Sequence, residues 1–73
     1  MKIPHNLGYT NIPNEVLNDE RLSFEAIGVY CACCTFPPGK EIDIKELKKM
    51  SSDDIQILEK AIEELKKFGY LKE

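Results

Sequence analysis

Residues 51 to 69 carry a pattern that only an amphipathic helix satisfies. Ile55, Leu58, Ile62 and Leu65 recur at spacings of three and four, Gly69 continues the series, and a helix gathers them into one stripe. Ser51-Ser52-Asp53-Asp54 precedes the stripe, with hydroxyls that cap and carboxylates that suit the positive end of the helix dipole. Lys66 and Lys67 fall in the last turn, where cations suit the negative end. The stripe is too short for a sustained coiled coil, which needs about three or four heptads.

A second helix is predicted directly upstream, from Ile44 to about Met50, because Asp43 and Glu46 match a capping box. Only a tight turn separates the two. Further back, Ser23 reads as the cap of a longer helix in which Phe24, Ile27, Cys31 and Cys34 form an apolar stripe, widened by Ala26, Tyr30 and Cys33. So broad an apolar face belongs in the middle of a fold, and Pro37-Pro38-Gly39 ends the helix. Asn14 is expected to cap a short helix over Glu15 to Asn18, with Val16 and Leu17 inward. Residues 1 to 13 contain Pro4, Gly8, Asn11 and Pro13 and are expected to form an arm, with at most a short extended piece around Tyr9 to Ile12. Glu41 to Ile44 alternates polar with apolar, as a short strand or an extended link would.

The expected fold is therefore mainly α, one domain of three to four helices with at most a short two- or three-stranded sheet. A chain of 73 residues has room for one core. Such a domain buries only about 60% of the surface its unfolded chain exposes, so dimerisation is an open route to added stability. The hydrophobic share of 42% and charged share of 32% suit a globular protein rather than a disordered one. The longest apolar-leaning run, Ala26 to Phe36, is shorter than the roughly 18 residues of a membrane span. No membrane partner and a cytoplasmic location are expected.

Cys31, Cys33 and Cys34 are too crowded for a secreted disulfide framework and are expected to be reduced, buried, apolar thiols. With His5 they make a poor zinc set, because on a helix Cys33 points away from the Cys31 and Cys34 side. A vicinal Cys33-Cys34 disulfide lacks the basic neighbours of a redox site. One histidine, no glycine-rich phosphate loop, no paired carboxylates and no nucleophile beside a base leave no catalytic constellation. No enzyme, metal or cofactor is expected.

A short helix joined by a few residues to a longer amphipathic one is the geometry that offers a helix to the DNA major groove. Gln56 suits adenine edges and Lys60 a guanine or a phosphate, with Ser51 and Ser52 at the turn. Lys45, Lys48 and Lys49 suit phosphates, whereas Asp53 and Glu59 repel them. The net charge of -3 argues against a dedicated nucleic-acid binder. Residues 1 to 39 hold two bases against four acids and residues 40 to 73 eight against nine, so neither half is basic. Double-stranded DNA is thus expected to bind weakly to a monomer. Ile57 and Phe68, with Ala61, form a second apolar set that serves either the core or an oligomer contact.

Three blocks carry a family resemblance: Tyr9 to Leu17, Arg21 to Tyr30, and Ala61 to Leu71. In order and spacing, residues 9 to 71 resemble the winged-helix domains of bacterial, plasmid and phage replication-initiation proteins, including the DnaD-type N-terminal domain. The last block is similar to the end of a winged-helix recognition helix, which implies that Gly69 closes the helix and that Tyr70-Leu71 begins the strand leading to the wing. The resemblance implies DNA binding in replication or transcription control, or, in its other use, a dimerising or partner-binding module. Two departures stand out: Glu73 falls where a wing hairpin would follow, and Asp53 and Asp54 replace basic residues at the start of the recognition helix.

Overall fold

A computed structural model of the protein describes residues 9–37 and 39–72. Four helices follow one another: α1 (Asn14–Leu17), α2 (Phe24–Cys33), α3 (Ile44–Met50) and α4 (Ile55–Lys67). The chain is mainly α, and no strand occurs among the described residues. Residues 9 to 12 and 41 to 43 join no sheet, so the second is the extended link of the two readings. Residues 1 to 8 of the expected arm lie outside the described residues.

The helix starts follow local chemistry. Ser23 Oγ accepts from the Ala26 amide at 3.1 Å and opens α2. Asp43 Oδ1 accepts from the Lys45 amide at 3.0 Å and opens α3. The expected capping box at α3 is only half made, because Glu46 turns to Lys40 at 3.2 Å instead of returning to Asp43. At α1 Pro13, not Asn14, occupies the cap position with φ -59° and ψ 135°, and Asn14 is the first helical residue. The ring of Pro13 fixes φ for an extended approach, so the helix begins one residue earlier than Asn14 capping predicts. Helix α2 stops at Cys33, four residues before Pro37, as a proline there requires, and Thr35 Oγ1 donates to the Ala32 carbonyl at 2.7 Å.

Helix α4 ends in a Schellman turn. Gly69 takes φ +83°, the Tyr70 amide donates to the Leu65 carbonyl at 2.8 Å, and the Gly69 amide donates to that of Lys66 at 3.2 Å. Tyr70 and Leu71 thus belong to a helix-terminal turn and not to the start of a strand.

One core joins all four helices through Val16, Leu22, Ala26, Val29, Leu47, Leu58, Ala61 and Leu65. Helix α2 packs chiefly on α4, and each brings an alanine to the core. Two expectations about facing fail here. Leu17 is exposed while Val16 is fully buried, and α2 buries Ala26 and Val29 while Phe24, named for the inner stripe, is 90% exposed. Glu25 is the only charged residue of α2, so periodicity hardly distinguishes its faces. Ala61 and Phe68 are settled by packing: Ala61 is buried and Phe68 lies half-buried against the core.

Candidate nucleic-acid interface

Helices α3 and α4 are held together by Leu47 and Leu58, both buried, across the turn 51 to 54. Ser51 Oγ accepts from the Asp53 amide at 2.9 Å and tightens that turn. Asp54 is the cap of α4, but through its carbonyl alone, which receives the Ile57 and Leu58 amides at 3.0 and 3.2 Å. The predicted hydroxyl capping of α4 is therefore absent, and the Asp53 and Asp54 carboxylates stay exposed at the start of the helix.

The proposed DNA-contacting residues lie on α3, on α4 and in the turn between them. Lys45, Lys48 and Lys49 are exposed on α3, on the side away from Leu47, and among the described residues they make no ion pair. Gln56 and Lys60 lie one turn apart on the exposed side of α4. Ser52 is exposed at the turn and Ser51 half-buried. Of the two residues named as an oligomer contact, Ile57 is 40% exposed, whereas Phe68 carries the Arg21 guanidinium 4.4 Å above its ring.

Two arrangements escaped the sequence reading. Glu64 of α4 grips the start of α2, accepting from the Ser23 amide at 2.6 Å and from Ser23 Oγ at 2.9 Å. In the loop between α1 and α2, Arg21 Nε and Nη2 donate to Asp19 at 2.9 and 2.6 Å, and the Tyr70 hydroxyl donates to the same carboxylate at 2.7 Å. Those bonds, from Arg21 above all and then from Tyr70, hold the Asp19 carboxyl well below the usual range. Asp19 in turn raises the Arg21 guanidinium and, by accepting a hydrogen bond from its hydroxyl, the Tyr70 phenol. Tyr70 meets Tyr30 edge to face, with ring centroids 6.0 Å apart. Nothing local in the sequence links residues so far apart along the chain.

Cys31, Cys33 and Cys34 are free thiols, half-buried rather than fully enclosed. Burial pushes the Cys33 thiol up, which keeps it protonated. His5 lies outside the described residues, and among those described no cluster of three metal-binding side chains occurs. No described helix is long and apolar enough to cross a membrane.

Beside the turn, a groove of about 580 Å3 runs between α2 and the end of α3, with Val29, Leu47 and Leu58 among its lining residues.

The chain matches no family model, no curated protein and no solved structure.

Proposed function

We propose that the chain is a helix-turn-helix domain of winged-helix type that binds double-stranded DNA, with a binding rather than a catalytic role. The observation that supports this reading is the α3, turn, α4 unit, with Lys45, Lys48 and Lys49 exposed on α3 and Gln56 and Lys60 exposed on α4. In this reading Lys45, Lys48 and Lys49 neutralise phosphates while Gln56 and Lys60 meet base edges in the major groove. Ser51 and Ser52 lie at the backbone as α4 enters. The resemblance of residues 9 to 71 to replication-initiation domains favours a role in replication or transcription control.

Asp53, Asp54 and Glu59 oppose phosphates, and the net charge of -3 supplies no long-range steering. Affinity of a single copy is accordingly weak and strongly salt-dependent. Fluorescence anisotropy of a labelled duplex, at low and near-physiological salt, tests this. Saturable binding that weakens as salt rises is expected. Lys48→Ala with Lys49→Ala should weaken binding to every sequence and flatten the salt dependence, while Gln56→Ala should mainly relax sequence preference. Unchanged affinity in both variants would sink the reading.

A second reading, a dimerising or partner-binding module of the same fold, is favoured by the exposure of Ile55 and Ile57 at the start of α4. Absence of DNA binding at low salt, together with a dimer that Ile57→Ser dissociates in sedimentation velocity, would select it.

A further inference from the structure

The groove beside the α3 to α4 turn shares Ser51 and Ser52 with the proposed DNA contacts and is otherwise lined by other residues. Phe24, Gly28 and Ala32 form its α2 wall, each one turn after the last. Phe24 is 90% exposed, and Met50, 50% exposed, also lines the groove. A Cβ built on Gly28 meets nothing within 4 Å, so the space above it is open. Among the described residues, the charged side chains lining the groove are Glu25 and Asp53, and no lysine or arginine lines it.

Apolar walls with an acidic lining select their occupant by charge. DNA phosphates are repelled. A second copy related by a two-fold axis would set Glu25 and Asp53 against the same carboxylates. A cationic amphipathic helix has neither difficulty, because its apolar side chains leave water against Phe24, Gly28 and Met50 while its lysines or arginines meet the carboxylates. Met50 adds a side chain able to adapt to different apolar shapes. We propose that this groove receives a cationic amphipathic helix from another protein. The assignment does not rest on DNA binding.

The test uses a fluorescein-labelled synthetic peptide with leucines at helical spacing and lysines between them, titrated with the whole chain. Saturable binding is expected, weakened at least about tenfold by Phe24→Ser, by Gly28→Leu, and by Glu25→Gln combined with Asp53→Asn. Gly28→Leu fills the groove while replacing an exposed helical glycine with a better helix former, so its effect is separable from unfolding. A peptide with glutamates in place of the lysines should not bind. The proposal is overturned by absence of saturable binding, by equal binding of the glutamate peptide, or by indifference to the groove variants. A dimer dissociated by Phe24→Ser would likewise overturn it, by giving the groove to a second copy.

Discussion

At Asp19 one carboxylate takes three side-chain hydrogen bonds from two residues, Arg21 and Tyr70. Its side chain is 8% exposed, its charge is met by Arg21, and its second oxygen also takes the Tyr70 hydroxyl. In the unfolded chain this carboxyl titrates near pH 4, and in the folded chain it stays ionised well below that. Lowering the pH below about 4 therefore protonates the unfolded chain first, and the stability drawn from Asp19 falls until the folded carboxyl titrates too. Asp19→Asn should flatten the decline of the urea midpoint between about pH 5 and about pH 2. Parallel slopes for the two proteins would remove the network from the account of acid stability. Tyr70 acts in the opposite range: its phenol keeps its proton in the folded chain above about pH 10, where the unfolded chain loses it, so stability falls as pH rises.

Among the elements, α2 shows how a cap can be completed from a distance. In a capping box the third helical residue reaches back to the cap amide. Here that residue is Ala26, buried in the core, and Glu64 of α4 takes the role from 41 positions away. Glu64→Ala should cost about 1–3 kcal/mol in a urea melt, and Glu64→Gln less, because the amide keeps one acceptor. Stability equal to the parent in Glu64→Ala would refute the assignment. The same elements show what the sequence made legible. Ser23, Asp43 and Gly69 act at short range, and the start of α2, the bounds of α3 and the end of α4 follow from them. Asn14 did not cap, since Pro13 takes that position, and the hydroxyls of Ser51 and Ser52 did not cap α4, which the Asp54 carbonyl caps instead. Phe24 was misplaced because a nearly all-apolar helix carries little directional signal. That the lysines, Gln56 and Lys60 are exposed was legible, but the groove was not, since it depends on how α2 is rotated against α3.

Across the whole molecule, a core of few large side chains leaves little reserve. Leu65 is fully buried at the junction of α2 and α4, and Leu65→Ala should cost about 2–5 kcal/mol. Against a total of about 5–15 kcal/mol for ordinary domains, that is a large share. At about 4–8 °C per kcal/mol for a domain of this size, the melting temperature should fall by roughly 10 °C or more, as circular dichroism would show. A smaller shift would mean that the site collapses around the missing atoms. The Asp19 to Tyr70 bond spans 51 positions and fastens the loop after α1 to the turn after α4. Opening of the turn after α4 must therefore break a contact that also holds the loop after α1. Amide hydrogen exchange at Leu22 and at Tyr70 should consequently proceed through one shared opening, with both amides losing protection together in Tyr70→Phe.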